Sequence, residues 1–276
     1  MRKLISQIIF VVACFTLTTC KQSDPNDVLG RKGDVVHFSG RLWDVKSGYN
    51  GPGPNTFSKE YQNVWVDELG YLHLHISKHN DGLWYSSEVI SQDNLGYGTY
   101  VFTIQGNPLQ FASNVVLGLF TWDNNTFYEQ ANSEVDIEIS KWGVADDIHP
   151  LTNAVQPVFF GDFFAERVHQ SLIDSSYIQG VSTHMFTWTD SLITWQSFRG
   201  ENYINAVPFS TWSFDLNNPA RVKVENGNQS LPIIIPAPGA TTNARINFWT
   251  LTNVAFGPSN GMNHEMVIRK FIYEPS

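Results

Sequence analysis

The sequence contains little cysteine, and this limits the chemistry open to the protein. Only two of its 276 residues are cysteine, Cys14 and Cys20, and both lie in the first twenty positions. The rest of the chain therefore has no residue for a disulfide bond, a thiol nucleophile or a cysteine-ligated metal site. A domain folded from this part must be stabilised by the burial of apolar surface.

Charged residues are also scarce, at 16%, and the 26 acidic residues outnumber the 17 basic ones. The sequence has no run of lysine or arginine and no basic–aromatic pattern. Because binding to phosphate requires clustered positive charge, we expect no nucleic-acid partner. The same acidic balance disfavours an anionic membrane surface and a strongly anionic polysaccharide, whereas a neutral glycan suits it.

A sustained helical period is missing, and only the short segment 162–168 has a weak helical pattern. Short segments such as 71–76, 100–104 and 192–195 instead alternate between apolar and other residues, and turn sequences such as 81–82 separate them. Alternation over a few residues is typical of β-strands. Many short strands without internal repeats predict one all-β domain, a sandwich or jelly roll.

The N-terminal segment has the pattern of an export signal. Arg2 and Lys3 precede an apolar run, Leu4 to Thr16, which has the length of a signal-peptide core and is too short to span a membrane comfortably. The run ends in residues 17–20 (LTTC), which resemble a bacterial lipobox, with Thr19 where glycine or alanine is usual. An ordinary signal peptide that is cleaved nearby is the alternative.

These patterns divide the chain into three parts. Residues 1–19 are predicted to be a lipoprotein signal peptide, with Cys20 as the lipidation site. Residues 20–33 are predicted to be a polar tether, and residues 34–276 a single domain. We therefore expect an exported protein. A lipid on Cys20 is expected to anchor it to the cell envelope, at the outer membrane.

The strongest chemical signal is a group of carboxylates on one predicted strand, Glu134-Val135-Asp136-Ile137-Glu138. Side chains alternate between faces along a strand, so the three acids share one face and the two apolar residues point the other way. Like charges resist being desolvated together, and packing alone does not favour them. Glycoside hydrolysis requires such a set: a carboxylate that attacks, an acid that protonates the leaving oxygen and a neighbour that tunes both. A solvated acidic face or a calcium site is the alternative.

This motif and its companions resemble family 16 glycoside hydrolases. Segments 63–74, 85–100, 184–195 and 246–249 resemble strands of that family in the same order, so the resemblance extends over residues 35–276. It implies an all-β jelly-roll sandwich of two antiparallel sheets, with a sugar-binding groove on the concave face. The family has motif forms with and without a β-bulge. The regular spacing here resembles mixed-linkage β-glucanases (lichenases) and xyloglucan-active transglycosylases.

The resemblance also implies a role for each acid. Glu134 is expected to be the nucleophile, Glu138 the general acid/base, and Asp136 the residue that holds and tunes them. A retaining mechanism requires two carboxyl groups about 5–5.5 Å apart, whereas positions i and i+4 of a straight strand are about 13 Å apart. Two long side chains must therefore lean together on a curved, twisted sheet, where crowding is expected to raise the pKa of the acid.

Three substrate-binding residues are implied in the same way. Trp249 matches a groove position for stacking and Asn247 one for a sugar hydroxyl, although a strand tryptophan is often a core residue. Glu88 matches a subsite residue, but Ile90 occupies the position where the family has an arginine.

Two further candidates complete the predicted groove. Gln156 matches a polar element of lichenases, although the apolar residues 158–160 replace the asparagine that follows it there. Residues 132–133 (NS) stand where lichenases carry a tryptophan just before the motif. Trp122 or Tyr128 is the candidate that supplies the stacking platform instead.

The histidines do not predict a metal site. His184, alone on a strand, is interpreted as a structural hydrogen-bonding residue. His73 and His75 alternate with leucines and so share the opposite face, toward solvent or groove. No histidine pair has zinc spacing with a carboxylate, and we expect no metal or cofactor. A structural calcium ion would be compatible with the fold, although no Asp/Asn-rich loop specifies one.

We therefore expect a monomeric, retaining, endo-acting glycoside hydrolase that cleaves a neutral β-linked glucan, mixed-linkage β-glucan or similar. A non-catalytic carbohydrate-binding lipoprotein on the same fold is one alternative, but crowding two glutamates would cost a pure binder stability without a gain. A transglycosylase is the other. It shares the glycosyl-enzyme intermediate and differs only in the acceptor, so the sequence does not separate it from a hydrolase.

Overall fold

A computed structural model of the protein describes residues 31–156, 167–173, 180–215, 221–223, 230–232, 235–253 and 255–276. The predicted signal peptide, Cys20 and most of the weak helical segment 162–168 lie outside these residues. No helix in the described ranges is long and apolar enough to cross a membrane.

Almost all regular structure in the described residues is β-strand. In chain order the strands are β1 (Arg31–Lys32), β2 (Val35–Phe38), β3 (Arg41–Val45), β4 (Gly48–Asn50), β5 (Asn55–Phe57), β6 (Val64–Val66), β7 (Leu72–Lys78), β8 (Trp84–Tyr85), β9 (Ser87–Ser91), β10 (Gly98–Gln105), β11 (Val115–Trp122), β12 (Val135–Ser140), β13 (Leu151–Val155), β14 (Val168–Ser171), β15 (Val181–Trp188), β16 (Leu192–Arg199), β17 (Ser210–Asp215), β18 (Arg221–Lys223), β19 (Ser230–Pro232), β20 (Asn243–Thr250) and β21 (His264–Pro275). The helical elements are α1 (Phe127–Gln130) and the 3₁₀ turns Pro108–Gln110 and Ala131–Ser133.

Two large antiparallel sheets form the domain. The first has the strand order β1-β2-β3-β9-β20-β11-β12-β13-β14, and the second has the order β17-β16-β15-β10-β21-β7-β6 with β8 beside β7. The β4–β5 hairpin and the β18–β19 pair are separate. This architecture confirms the predicted all-β jelly-roll sandwich. The first strand, β1, includes two residues of the segment predicted as a tether.

Alternation along the strands decides which side chains are buried. On β12 the core face carries Val135, Ile137 and Ile139, all at most 1% exposed, and Ile246 and Phe248 on β20 are fully buried in the same core. Burial of each such side chain contributes about 1.5–3 kcal/mol. Because side chains alternate, the acids of this strand must lie on the outer face of the first sheet.

The two strand pairs suggested by the resemblance are present in the second sheet. In the β6–β7 pair Val64 lies opposite Leu74, and in the β15–β16 pair Phe186 lies opposite Trp195. His184 is fully buried and hydrogen-bonds through both ring nitrogens to serine hydroxyls, in agreement with the structural role predicted for it.

His73 and His75 lie on the outer face of this second sheet. The ring of His73 stacks on Trp65 at 4.6 Å, and the ring of His75 meets the same indole edge-on. Both histidines belong to β7 in the second sheet, whereas the acids lie on the first sheet. The groove alternative for these histidines is therefore wrong.

Candidate active site

The register of the first sheet places the predicted site residues in rows across its outer face. In the central row Glu138 lies opposite Gly118, Gly118 opposite Asn247, and Asn247 opposite Glu88. Residues that are directly opposite on antiparallel strands point to the same side. Strands β12, β11, β20 and β9 therefore contribute to one continuous surface.

A neighbouring row contains the middle acid. Asp136 lies opposite Phe120, and Phe120 lies opposite Arg245. Glu134 comes immediately before β12 in an extended conformation, and its carbonyl accepts a hydrogen bond of 3.2 Å from the backbone N–H of Gln156. No register shift interrupts the described pairing of β12 with β11, in agreement with the unbulged spacing of the motif.

These residues surround a cavity of about 420 Å³, which we name the acidic cavity. Its wall includes all three acids and four of the five predicted substrate-binding residues. They are Glu134, Asp136, Glu138, Glu88, Trp122, Asn247 and Trp249.

Gln156 and Tyr128 have different positions. Gln156 does not line the cavity but donates a hydrogen bond of 2.9 Å from Nε2 to Oδ2 of Asp136. Tyr128 is 94% exposed on the short helix α1 and is not part of the cavity wall. Of the two candidates for a stacking platform, Trp122 is therefore the one at the site.

Burial raises the pKa of all three carboxyl groups at this site. Asp136 is 3% exposed and its pKa is raised to about 7, whereas Glu134 and Glu138 are partly exposed and have pKa values well above 4.5. Repulsion from the neighbouring acids adds to the effect of burial for both glutamates. The cluster therefore retains protons near neutral pH, which a general acid requires.

The two glutamates have different surroundings. Burial, the charges of Asp136 and Glu138 and a hydrogen bond to Asp136 all raise the pKa of Glu134, and the positive charge of Arg245 lowers it. The pKa of Glu138 is raised by burial and by the charge of Asp136. Glu134 therefore differs from Glu138 in having a cation nearby, while the carboxyl groups of both have raised pKa values.

Glu88 has two cationic partners that the sequence analysis missed. Lys46 Nζ lies 2.6 Å from Oε2 of Glu88, and Arg245 Nη1 lies 3.5 Å from Oε1. Arg245 stands directly opposite Ile90, the position where the family's arginine was expected. The missing guanidinium is thus supplied by the adjacent strand. Period-two alternation from Asn247 places Arg245 on the face of the acids, but its pairing with Glu88 depends on the register between β20 and β9.

Asn247 and Trp249 each present an unused polar atom. Asn247 is 4% exposed and Trp249 6%, and neither Oδ1 of Asn247 nor Nε1 of Trp249 has a hydrogen-bond partner within the described part of the chain. Buried polar groups are normally paired, so these two atoms are exceptions beside the acidic cavity. Trp249 also packs against Phe57 and Val116. It is therefore a core residue with one edge on the cavity, and its role in stacking on a sugar stays a prediction.

A left-handed turn leads into Glu134. Ala131, Asn132 and Ser133 have φ values of 47°, 61° and 52°, which are unusual outside glycine. Hydrogen bonds secure the turn: Thr121 Oγ1 donates to the carbonyl of Ser133 at 2.8 Å. Asn132 and Ser133, which stand where lichenases have a tryptophan, are both buried.

Metal binding has no support among the residues that the structure describes, where no group of three or more His, Cys, Asp or Glu side chains is placed to hold an ion. The compatibility of the fold with a calcium ion stays an untested expectation.

The domain is similar to solved β-glucanase structures. The β-glucanase of Bacillus licheniformis is 16% identical with a TM-score of 0.54, over 89% of this chain and 94% of that chain. SCLam, a non-specific endo-β-1,3(4)-glucanase from family 16, is 11% identical with a TM-score of 0.55, over 84% and 83%.

A third similar structure carries a different description. It is an immunostimulatory antigen and pseudo β-1,3-glucanase of Mycobacterium tuberculosis, 16% identical with a TM-score of 0.56, over 90% and 96% of the two chains. No protein-family model matches the sequence, and a search of curated proteins finds no match. At these identities the likeness establishes the fold: the chain is a β-jelly roll of the kind found in family 16 β-glucanases.

Proposed function

We propose that this protein is a retaining, endo-acting glycoside hydrolase that cleaves a neutral β-linked glucan. One observation carries the proposal: Glu134, Asp136 and Glu138 line a single cavity, and their carboxyl groups have raised pKa values there. Bringing three acids together on a buried wall costs stability, and two-step glycoside hydrolysis uses such an arrangement.

We assign the roles of the two glutamates from the resemblance of their motif to family 16. Glu138 is the acid that protonates the glycosidic oxygen, and Glu134, near the charge of Arg245, attacks the anomeric carbon to form a covalent glycosyl-enzyme. Glu138 then removes a proton from water, which releases the sugar with net retention. Asp136 hydrogen-bonds to Glu134 and is itself held by Gln156.

The remaining wall of the cavity supports a neutral sugar as substrate. Its two cations, Lys46 and Arg245, are already paired with Glu88. Asn247 and Trp249 add uncharged polar side chains to this wall, which suit a neutral sugar better than an ion. Together with the unbulged strand, these features favour a mixed-linkage β-glucan or a similar glucan.

The test compares Glu134→Ala and Glu138→Ala with the unmodified protein on barley β-glucan and xyloglucan. We expect each substitution to lower reducing-sugar release by at least about a thousandfold, because each removes a group on which the chemical step depends. Azide should restore turnover of an activated glycoside, giving the α-glycosyl azide with Glu134→Ala and the β-glycosyl azide with Glu138→Ala. The control is Glu60→Ala, which removes an exposed glutamate that lies far from the three acids in the sequence.

Unchanged sugar release by either active-site variant would overturn the proposed mechanism. Retention of the protein in a β-glucan gel, without products from any polysaccharide in a broad panel, would identify the carbohydrate-binding alternative. Products longer than the starting chain in the presence of an oligosaccharide acceptor would identify a transglycosylase.

We also propose that the chain is exported and anchored in the cell envelope by a lipid on Cys20. The support is the sequence alone: the basic start, the apolar run and the residues LTTC at 17–20. In a bacterial host we expect incorporation of labelled palmitate that Cys20→Ser abolishes and Cys14→Ser leaves intact. Equal labelling of the two variants, or no labelling of the unmodified protein, would overturn this proposal.

A further inference from the structure

A second cavity, of about 200 Å³, lies beside the β4–β5 hairpin, and we name it the hairpin cavity. Tyr49, Trp84 and Phe256 contribute aromatic side chains to its wall, and Asn55 and Thr252 contribute polar ones. None of the three catalytic-site acids lines it, so it is separate from the acidic cavity.

The same hairpin forms a wall of both cavities. Asn50, Gly51 and Pro52 line the acidic cavity, whereas Tyr49 and Asn55 line the hairpin cavity. The two cavities therefore share the β4–β5 hairpin as a common wall.

Hydrogen bonds fix this hairpin to the strand that carries the groove residues. Asn55 Nδ2 donates to the carbonyl of Thr250 at 2.9 Å, and Asn55 Oδ1 accepts from Thr250 Oγ1 at 3.1 Å and from Ser86 Oγ at 3.0 Å. Thr250 follows Trp249, which lines the acidic cavity. The distance between the two cavities is thus set by the fold.

The chemistry of the hairpin cavity suits a neutral sugar. Tyr49 is 71% exposed and Phe256 is 85% exposed. Exposed apolar residues that stand singly need no explanation, but a group of them around a concave site is typical of ligand binding. Sugar rings stack on aromatic faces, and the half-buried Thr252 adds a hydroxyl group to the wall. No charged residue is among the described residues that line the cavity.

One wall of the hairpin cavity is preformed. A Cβ atom placed on Gly257 would lie 2.4 Å from the indole of Trp84, and Gly257 has a φ of +87°. The indole therefore lies directly against backbone at a position that only glycine fills without strain. An aromatic surface held in this way loses little conformational entropy when a ligand binds.

We propose that the hairpin cavity is a second glycan-binding site, which holds a neutral segment of the same polysaccharide chain outside the acidic cavity. This inference rests on the proposed function for the identity of the glycan. Two binding sites for one polysaccharide raise the apparent affinity of the protein for a long chain, because a long chain spans both sites. The affinity for a short fragment, which occupies one site only, is unchanged.

The test uses the double variant Tyr49→Ala/Phe256→Ala, with Tyr61→Ala/Leu69→Ala as the matched control. The control also removes one exposed tyrosine and one exposed apolar residue, 42% and 74% exposed, at positions that line neither cavity. Each variant is compared with its parent by affinity electrophoresis in barley β-glucan, in a Glu138→Gln background so that the gel is not degraded. Turnover of the polymer and of a mixed-linkage tetrasaccharide is measured with Glu138 intact.

We expect the double variant to lose at least about fivefold in polymer affinity and to turn over the tetrasaccharide at the parent rate, with the control unchanged in both. If the β-glucan gel slowed the double variant as much as the control, the proposed second site would be overturned. An equal loss of turnover on the polymer and on the tetrasaccharide would also overturn it. Failure of the proposed function has a different signature. In that case no variant releases sugar, while the loss of retention on substitution of Tyr49 and Phe256 still supports a binding site.

Discussion

The indole nitrogen of Trp195 donates a hydrogen bond of 3.0 Å to the backbone carbonyl of Asp136. Trp195 belongs to β16 of the second sheet, is 1% exposed, and stacks on Trp212 at 4.5 Å. The strand that carries the acids is therefore held from its core side by the opposite sheet. A carboxylate pair must be placed within a fraction of an ångström for two-step hydrolysis, and this bond restrains the backbone of the middle acid.

The first prediction concerns this bond. Trp195→Phe removes the donor, leaves a buried carbonyl with fewer partners and opens a small void, so we expect a loss of about 1–3 kcal/mol in the free energy of unfolding. We also expect kcat on β-glucan to fall about tenfold or more, measured well below the melting temperature of the variant.

Trp188→Phe is the matched control for this prediction. Trp188 is also fully buried and also donates from its indole to a backbone carbonyl, that of Pro236, at 2.9 Å. A similar loss of stability with an unchanged kcat is expected for it. Equal kcat losses in the two variants would mean that Trp195 acts through general stability rather than through the acidic strand.

The acidic strand could be predicted because its information is local. Alternation alone places Glu134, Asp136 and Glu138 on one face, and the structure has them there. The partnership of Arg245 with Glu88 depends on the register between β20 and β9, which are 157 residues apart at this contact. No local pattern specifies a register of that kind.

The turn before Glu134 was not predictable for a different reason. Three successive residues without glycine in the left-handed region contradict local preference, and residues such as Ala131 give no sequence signal for it. Tertiary hydrogen bonds such as that from Thr121 to Ser133 stabilise the turn. Conflict between local preference and the observed backbone is typical of functional sites.

Gly118 provides the second prediction. It stands between Glu138 and Asn247 in the central row, and a Cβ atom there would lie 2.4 Å from Oδ1 of Asn247. Gly118→Ala must therefore displace the Asn247 side chain into the space proposed for the sugar. We expect kcat/KM on β-glucan to fall about tenfold or more, with the larger part of the change in KM.

Gly96→Ala is the control for this substitution. A Cβ atom at Gly96 would meet its nearest neighbours at 3.9 Å, an ordinary contact distance, so activity should be unchanged. If Gly118→Ala retained the full kcat/KM, the sugar would not occupy the floor between Glu138 and Asn247.

The third prediction tests the role of Arg245 through the pH dependence of activity. Its positive charge lowers the pKa of Glu134, and Glu134 as the proposed nucleophile must be ionised to attack. Arg245→Met removes this charge, so the pKa of Glu134 rises and the acidic limb of the kcat/KM profile moves to higher pH. Arg245→Lys keeps a positive charge and should move the limb less.

Lys46→Met provides the matched control for the pH profile. Lys46 also pairs with Glu88, so its loss disturbs the same ion cluster, while the charge that lowers the pKa of Glu134 is that of Arg245. The acidic limb should therefore stay in place. An equal shift in Lys46→Met and Arg245→Met would assign the effect to Glu88 and its ion pairs as a whole.

The fourth prediction concerns stability. Burial and the charge of Asp136 raise the pKa of Glu138 above its ordinary value of 4.5, so the folded state binds a proton that the unfolded chain has already released. Below about pH 4.5 Glu138 is protonated in both the folded and the unfolded state, so its burial as a charged group costs the folded state no stability. As the pH rises above this value the folded state loses stability relative to the unfolded chain, until the pH passes the raised pKa.

Glu138→Gln removes the titrating group and therefore removes this penalty. We expect its melting temperature to exceed that of the unmodified protein at pH 7.5, by about 2–4 °C for each kcal/mol relieved, and the gain to shrink toward pH 4. Glu60→Gln, whose side chain is 64% exposed, should leave the melting temperature unchanged at every pH. A gain from Glu138→Gln of the same size at pH 4 and pH 7.5 would show that packing, rather than the cost of a buried charge, separates the two proteins. The acid would then have no raised pKa with which to protonate a leaving group.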